Sequence, residues 1–559
     1  MSWYYTAIEI LCWVFVFLML RHGLYRGMYL LHIFQQHGYK FNEFTKWLAG
    51  HWNTILVSVP HLALILAAMV GRYYLEPYFT TTAVAVALFI FSAFWFGSIA
   101  RFHGSKVKKP LVFTARMKRL TLVFIVLAAW IPLLGTAYAF SIGPLFPDIY
   151  ILIYVWVLAD LLLPWLLFLA AGIVHPLENL VQFRYIRMAR NKLQSMSSLK
   201  VIAITGSYGK TSTKFLIDAV LKERFRVCTT PGSYNTPMGI CKVINHDLQP
   251  SDQVLILEMG ARYEGNIDEL CRIARPDIAV VTNVGIAHLE SFGSLEAIAR
   301  TKGALMQYVK TGGIAVLNGD DPKVRSMAGR KDIDVLFAGL EEEYNHLIAR
   351  NITYDENGCS FQILLSEQHL FPGEQPAGTK GPEQIVMSHL GEHSVRNALL
   401  AAGVGLMAGL RLPTIKVALR KVKPVEHRLE LKKQNGVLII DDAFNSNPIG
   451  AKNAISVLCS FESGRKFVVT PGMIELGDRQ EEENREFGLW MAKKAPDHIY
   501  LIGRQQTEPV YEGLKQGGFD EQRITVVDTL FEANDRLRTE LVEGDVVLYE
   551  NDLPDSYNE

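Results

Sequence analysis

Long apolar segments dominate the first third of the chain, and short apolar runs separated by helical patterns fill the remainder. Each long segment approaches or exceeds the roughly 20 residues that a helix needs to cross a bilayer. They predict a transmembrane helical bundle over residues 1–178 rather than a cleaved signal, because no basic region precedes the first segment and no small-residue cleavage site follows it. The five segments are residues 3–20, 53–71, 78–100, 120–141 and 149–175.

Basic residues are concentrated in two of the four loops between these segments. The first loop contains four of them and the third contains seven, whereas the other two loops together contain only Arg72. Loops rich in lysine and arginine stay on the cytoplasmic side of a membrane. We therefore expect a multi-pass protein of the cell membrane, with its N-terminus outside and the chain after the fifth segment in the cytoplasm, where ATP is available.

Several features of this region have more than one interpretation. Glu9 and Asp160 lie inside apolar segments, so each is expected to face the bundle interior, where it contacts a substrate or, more simply, forms a helix–helix hydrogen bond. Residues 27–52 mix aromatic and basic side chains and predict a helix in the inner membrane interface, as a shelf for a lipid-linked substrate or as an anchor. The basic residues 179–198 predict a juxtamembrane linker attracted to anionic headgroups.

Residues 201–219, VIAITGSYGKTSTKFLIDA, predict a buried strand, a glycine loop and the start of a helix. In this geometry backbone N–H groups face an anion, Lys210 reaches terminal phosphates and the Thr211 hydroxyl binds Mg²⁺. Gly206 and Gly209 are only three residues apart, whereas the general phosphate loop spaces its glycines by five. On this stretch alone, an ordinary turn before a helix remains an alternative.

Strand and helix patterns continue to alternate after the loop. Apolar runs at 254–260, 277–285 and 312–322 predict a mostly parallel sheet covered by helices, with ligands at the carboxyl ends of its strands. Glu258 closes the first of these runs, and His288 follows the second. A second alternating series predicts another doubly wound α/β sheet. The domain boundaries are therefore expected at 199–412 for a central ATP-binding domain and 413–559 for a C-terminal domain.

Composition narrows the functional classes. The chain has 56 basic and 56 acidic residues, so no positive excess suggests nucleic acid as a partner. Its six cysteines occur without a CxxC pair or a metal-binding spacing, which is typical of reduced thiols rather than disulfides or a zinc site.

The soluble part resembles the Mur ligases, and within that family most closely the MurF type, which adds the last dipeptide to the peptidoglycan precursor. The resemblance covers nearly all of residues 200–480 and includes the short glycine spacing. It is carried, in order, by ITGSYGKTS (204–212), GSYNTPMG (232–239), LEMGARYEGNI (257–267), RPDIAVVTNVGIAHLESFGSLEAIARTKG (275–303), LNGDDP (317–322), LGEHSVRNALLAA (390–402), HRLE (427–430) and IDDAFNSNP (440–448).

The resemblance implies ATP and two Mg²⁺ ions as cofactors. Thr211 and Glu258 would bind one ion, and His288 would bind a second near the acceptor carboxylate. Lys302 occupies the position that Mur ligases carbamylate, which converts an ammonium into a metal-binding carboxylate. Lys210 would bind the terminal phosphates. The other implied nucleotide-binding residues are Gly206, Ser207, Gly209, Ser212, Asn235, His393, Asn397, Arg428 and Asp442.

The resemblance also implies that the C-terminal domain brings Arg428 towards the γ-phosphate and Asp442 towards the ribose. The chain departs from the family at Tyr208 and Phe444, which we interpret as changes of shape. It departs again in Pro471-Gly472 and in the ending LYENDLPDSYNE, where peptidoglycan ligases tend to have lysine-glycine-serine near the incoming dipeptide. The last difference leaves the incoming amine open.

The sequence thus predicts a membrane-bound, ATP-dependent carboxylate–amine ligase that acts through an acyl phosphate on a cell-envelope precursor. The family's soluble domain for a nucleotide-linked acceptor is replaced here by the membrane bundle. We therefore expect a lipid-linked, carboxylate-bearing acceptor and an amino acid or peptide as the amine. For the acceptor, the alternative is that the membrane segments merely tether a ligase for a soluble substrate. The alternative is a membrane-anchored, ATP-binding pseudo-ligase that serves as a scaffold or regulator, which the intact Glu258, His288 and Lys302 disfavour.

Overall fold

The chain forms two compact units, Met1–Phe183 and Arg184–Glu559. A computed structural model describes residues 2–51, 111–142, 148–286, 289–355, 358–366, 368–369, 382–424, 427–443, 447–461, 464–474 and 476–551.

The first unit is helical. Its helices are α1 (Ser2–Gln36), α2 (Phe41–Gly50), α3 (Ala115–Ile142) and the start of α4 (Ile149–Ser195). Among the described residues, three helical stretches are long and apolar enough to cross a membrane: Glu9–Gln36, Ala115–Ile142 and Tyr150–Ser195. They coincide with the first, fourth and fifth predicted segments. The predicted segments 53–71 and 78–100 lie outside the described residues.

Three predictions for this unit are wrong. Residues 27–52 do not form one interfacial helix, because α1 continues to Gln36 and only Phe41–Gly50 forms a separate helix. The polar residues after position 20 do not end α1, because His22 and Arg26 are buried within the unit. Glu9 is exposed rather than directed inwards, since it lies only about two turns from the start of the helix at Ser2.

A buried ion pair joins α1 to α4. Pro164 has no N–H group to donate to the carbonyl oxygen of Asp160, four residues earlier in α4. Arg26 Nη1 donates to that oxygen at 2.7 Å and to the Asp160 carboxylate at 2.5 Å. His22 Nε2 lies 3.5 Å from the same carboxylate. Asp160 therefore joins two helices, as the simpler interpretation of the sequence predicts.

The second unit contains the two α/β sheets that the sequence predicts. The larger has nine strands in the order β2-β3-β1-β4-β5-β6-β7-β8-β9, parallel as far as β7 and antiparallel beyond it. These strands are β1 (Lys200–Thr205), β2 (Val227–Thr229), β3 (Val254–Glu258), β4 (Ile278–Val281), β5 (Ile314–Asn318), β6 (Asp334–Gly339), β7 (Leu347–Asp355), β8 (Gly358–Leu365) and β9 (Glu383–Met387).

The smaller sheet has six strands in the order β10-β11-β15-β12-β13-β14, and its pairs are parallel except β10 with β11. The strands are β10 (Glu430–Gln434), β11 (Val437–Asp442), β12 (Lys466–Thr470), β13 (His498–Ile502), β14 (Ile524–Val527) and β15 (Val546–Glu550).

Helices cover the faces of both sheets, as parallel strands require. They are α5 (Lys210–Lys222), α6 (Pro237–Lys242), α7 (Asn266–Ile273), α8 (Leu289–Phe292), α9 (Leu295–Tyr308), α10 (Pro322–Arg325), α11 (Glu392–Met407), α12 (Leu412–Lys421), α13 (Pro448–Leu458), α14 (Gln480–Lys494), α15 (Glu508–Gln516) and α16 (Leu530–Glu540), with a π-helix at Val243–Asp247 and 3₁₀ turns at Gly477–Arg479 and Glu521–Arg523.

Two sequence-based boundaries shift. Residues 179–198, expected as a linker, are helical as far as Ser195. Ala189 within them is buried in the core of the larger sheet, and Lys192 Nζ donates to the Leu248 carbonyl at 2.6 Å. Helix α12, assigned to the C-terminal domain, packs on the larger sheet instead, with Ile415 fully buried there. The central domain therefore extends to about residue 421.

Candidate active site

The glycine loop connects β1 directly to α5, as predicted. Gly209 has a φ of +77°, and a Cβ atom there would lie 2.7 Å from Asn397 Oδ1. A Cβ at Gly206 would lie 1.9 Å from Thr282 Oγ1. These neighbouring atoms leave no room for a side chain at either position, so both residues must be glycine. Lys210 Nζ donates to the Gly206 and Ser207 carbonyls at 2.8 and 3.0 Å, so the ammonium group is held against its own loop.

Glu258 closes β3 beside this loop because β1 and β3 pair in register, with Ile204 opposite Glu258. Its carboxylate is buried and accepts hydrogen bonds from Thr211 Oγ1 at 2.9 Å and from Asn235 Nδ2 at 3.1 Å. A hydroxyl and a carboxylate at this separation are suitable ligands for Mg²⁺, a hard cation that binds oxygen atoms next to phosphate. The Thr211 hydroxyl and the Glu258 carboxylate therefore fit the first predicted Mg²⁺ ion.

Lys214 also contacts this carboxylate, although the sequence analysis did not identify it. Its side chain is fully buried on α5, with Nζ 3.6 Å from Glu258 Oε2 and donating to the Gly232 carbonyl. Burial lowers the pKa of Lys214, and Glu258 opposes that shift. A lysine one turn after Thr211, on the apolar face of the helix, was the signal that could have revealed it.

Lys302 lies on α9 and is 3% exposed. Burial lowers its pKa well below the usual value, and the positive charge of Lys210 lowers it further. Both effects favour the uncharged form of the amine. His288, the other predicted residue of the second metal site, lies outside the described residues.

The predicted adenine side is formed by α11. Asn453 Nδ2 on α13 donates to His393 Nδ1, and burial lowers the pKa of His393 to about 4, so the imidazole is neutral. Asn397 Nδ2 is buried and has no hydrogen-bond partner in the described part of the chain. A buried amide donor without a partner is costly, so this group is suited to a ligand.

The smaller sheet contributes Arg428 and Asp442. Burial raises the pKa of Asp442 to about 7, against the opposing effects of the Leu429 N–H group and the Arg428 charge. Burial also lowers the pKa of Arg428, while Glu258 and Asp442 oppose that shift. Arg428, just before β10, and Asp442, at the end of β11, therefore influence each other's pKa.

These groups line a single cavity of about 820 Å³ between the two sheets of the second unit. Gly206 and Lys302 are not among the lining residues, although the Gly206 carbonyl accepts a hydrogen bond from Nζ of Lys210, which does line the cavity. The predicted residues that line the cavity are Ser207, Gly209, Lys210, Thr211, Ser212, Asn235, Glu258, His393, Asn397, Arg428 and Asp442.

Family models match most of this unit. The Mur ligase middle domain matches residues 204–405, and the Mur ligase glutamate ligase domain matches residues 427–549. The UDP-N-acetylmuramoyl-tripeptide--D-alanyl-D-alanine ligase of Mycobacterium leprae is 34% identical over 63% of the chain and 70% of its own length. The Bacillus subtilis ligase of the same name is 30% identical over 65% and 75%.

Solved structures agree with these matches. MurF ligase from Thermotoga maritima, in complex with ADP, has a TM-score of 0.58 and 29% identity over 66% of the chain and 80% of its own. MurF from Acinetobacter baumannii has a TM-score of 0.57 and 26% identity over 66% and 77%.

The glycine loop, the buried carboxylate of Glu258 and the cavity between the two sheets fit the ATP-dependent ligases that these comparisons identify. The chain belongs to the Mur ligase family. The resemblance inferred from the sequence motifs is therefore confirmed, whereas the roles of individual site residues stay predictions.

Proposed function

We propose that this protein is a membrane-bound ligase that forms an amide bond between a carboxylate of an envelope precursor and an incoming amine. One observation carries the proposal: Lys210, Thr211, Glu258, Arg428 and Asp442 line one cavity, although they come from different strands and loops. The set combines cations for phosphate with oxygen ligands for Mg²⁺. The incoming amine belongs to an amino acid or peptide.

The reaction has two steps. A carboxylate oxygen of the acceptor attacks the γ-phosphorus of ATP, the bond to the β-phosphate oxygen breaks, and ADP leaves. The amine then attacks the acyl carbon, phosphate leaves with the bonding electrons, and the amine loses a proton to water. Lys210 and Arg428 neutralise charge on the transferring phosphoryl group, which needs positioning and electrostatic stabilisation more than a protein nucleophile. Bound Mg²⁺ would add further charge neutralisation at Thr211 and Glu258.

Lys302 fits the proposed carbamylation. An uncharged amine attacks carbon dioxide, whereas an ammonium cannot, and burial beside the positive charge of Lys210 lowers the pKa of Lys302 and so favours the uncharged amine. The product would place a negative charge near Lys210 and offer oxygen atoms to a second Mg²⁺ together with His288. Burial and charge thus support carbamylation.

The acceptor is proposed to be lipid-linked, and the N-terminal part to cross the cell membrane five times with its N-terminus outside. Three described helical stretches that are long and apolar enough to cross a membrane support the membrane-spanning part of this proposal. A polyprenyl-linked carboxylate would be confined to the bilayer and presented at its cytoplasmic face. A second candidate comes from the relatives, whose names specify a UDP-linked tripeptide and D-alanyl-D-alanine.

Purified protein in detergent should be offered lipid-linked and nucleotide-linked acceptors side by side, with ADP release and product mass as readouts. Faster turnover of the lipid-linked acceptor supports the first proposal. A truncation that begins at Arg184 is the matched control, because Ala189 is part of the second unit's core. If it turns over the nucleotide-linked acceptor as fast as the full chain does, the lipid-linked proposal is wrong. ATP hydrolysis that no acceptor stimulates would favour the pseudo-ligase.

A further inference from the structure

The backbone on either side of Arg428 is unusual. His427 has a φ of +59° and Leu429 a φ of +44°, so both lie in the left-handed region that residues with a Cβ atom rarely adopt. Such conformations persist only where neighbouring groups hold them, and they are concentrated at functional sites. Arg428 stands between these two residues and lines the nucleotide cavity.

Side chains from β10 and β11 hold this turn in place. The His427 N–H group donates to Glu430 Oε2 at 3.2 Å, and His427 Nδ1 lies 2.8 Å from Asp441 Oδ2. The Leu429 N–H group donates to Asp442 Oδ1 at 3.1 Å, and the Leu429 side chain is 2% exposed in the core of the smaller sheet. Both left-handed residues are therefore fixed to the same sheet.

The same groups could be mistaken for a metal site, because ligand atoms of His427, Glu430 and Asp441 lie within 4.8 Å of one another. However, Lys432 Nζ is 2.7 Å from Asp441 Oδ2 and 3.0 Å from Glu430 Oε2. An ammonium group thus already supplies the positive charge between the two carboxylates. The pairing of β10 with β11 places Glu430 directly opposite Asp441, so the cluster is fixed by strand register.

We propose that Asp441 is a positioning residue that, through His427, holds the left-handed turn and aims Arg428 at the terminal phosphate of ATP. The inference rests on the proposed function only in taking ATP as the ligand. Because Arg428 is expected at the γ-phosphate, a misplaced Arg428 should weaken the binding of ATP but not that of ADP. A residue that merely stabilised the fold would affect both nucleotides equally.

The test measures ATP and ADP binding to the full-length protein in detergent by calorimetry. Asp441→Ala should weaken ATP binding by roughly tenfold, as expected for the loss of a charge-assisted contact, and ADP binding by less than about twofold. Lys432→Met is the control, because it removes another partner of Asp441 and leaves the contact between His427 and Asp441 in place. It should change both affinities by less than about twofold.

A double-mutant cycle asks whether Asp441 acts through Arg428. Arg428→Ala should weaken ATP binding at least as much as Asp441→Ala does, and the double variant should lose no more than Arg428→Ala alone. If Asp441→Ala does not fold, His427→Val has the same expected effect. His427→Asn should stay within about threefold of the unchanged protein, because asparagine tolerates the left-handed region and keeps an amide near Asp441.

Equal loss of ATP and ADP affinity, or additive losses in the cycle, would overturn the proposal. These outcomes do not depend on turnover, so they are separate from a failure of the ligase reaction. An unchanged protein that bound neither nucleotide would instead contradict the proposed function.

Discussion

Buried charges differ between the two units of the chain. In the first unit Arg26 is paired with Asp160, and Arg119 Nε donates to the buried Glu178 at 2.6 Å. In the second unit the charged group that most affects the buried Lys302 is Lys210, which has the same sign. Arg428 likewise lowers the pKa of Lys210, which burial brings to about 8 while Glu258 opposes the shift.

This contrast separates structural charges from functional ones. Burying an ion pair such as that of Arg26 with Asp160 costs desolvation energy, but the pair fixes the contact between two helices. Neighbouring cations such as Lys210 and Arg428 repel one another and so are destabilising by themselves, and a polyanion such as the triphosphate of ATP would relieve that repulsion. The expected effects below follow from this distinction, beginning with the largest.

Removing the loop cation should have the greatest effect. Lys210→Ala should reduce acceptor-dependent ADP release by roughly a thousandfold or more, because transition-state charge on the phosphoryl group loses its nearest partner. Lys222→Ala, which removes an exposed lysine paired with the buried Asp218 on the same helix, should leave turnover within about twofold. Unchanged turnover in Lys210→Ala would end the ligase assignment of this site.

Lys302→Ala should reduce turnover by roughly a hundredfold while the protein stays folded, because the proposed metal-binding carbamate can no longer form. Short carboxylates added to the assay should restore part of the activity if the lysine is carbamylated. Arg300→Ala, on the exposed side of the same helix, provides the control. Full activity of Lys302→Ala without additives would refute the assignment.

The paired charges of the first unit should behave in the opposite way. Arg26→Met leaves Asp160 buried without its main counter-charge and should lower the free energy of unfolding by about 3–5 kcal/mol. Arg26→Met combined with Asp160→Leu should recover much of that loss, because no buried charge remains. ATP affinity should change by less than about twofold in both variants. Thermal unfolding in detergent would measure stability, and calorimetry would measure ATP affinity. A loss of ATP affinity would contradict the distinction between structural charges in the first unit and functional charges in the second.

The smallest expected effect concerns pH. Since the pKa of Asp442 is raised to about 7, its carboxylate is ionised above that pH and protonated below it. A carboxylate accepts a ribose hydroxyl better than a carboxylic acid does, so ATP affinity should fall severalfold as the pH decreases through about 7. Asp442→Asn cannot titrate and should bind ATP with little change over the same range. A pH dependence that survives in this variant would assign the titration to another group.

Local patterns predicted the phosphate-loop region well. The strand, loop and helix at 200–222 follow from a short apolar run, two glycines and helical spacing, and the structure has them at those positions. The site cavity was predictable because parallel strands bring their carboxyl ends together. Apolar periodicity did not assign α12 to the correct domain, because an apolar face shows that a helix is buried but not which sheet it packs against.

Long-range pairing accounts for the other differences. The end of α1 was placed too early because Arg21, His22 and Arg26 resemble a polar flank, and only the structure shows that Asp160 neutralises Arg26. The contact between Asn453 and His393 joins residues that are distant in sequence, and neither belongs to a motif that specifies the other. The positive φ of Leu429 likewise has no signal in the residue type.

The strand order of the smaller sheet has a consequence for how the protein is made. Strand β15 (Val546–Glu550) lies between β11 and β12, which precede it in the chain, and it pairs with both. A growing polypeptide therefore cannot complete this sheet in the order of synthesis. Asp442, at the end of β11, pairs with Glu550 on β15, which is translated much later. A protein lacking β15 would therefore have neither of the two strand pairs that join β11 to β12.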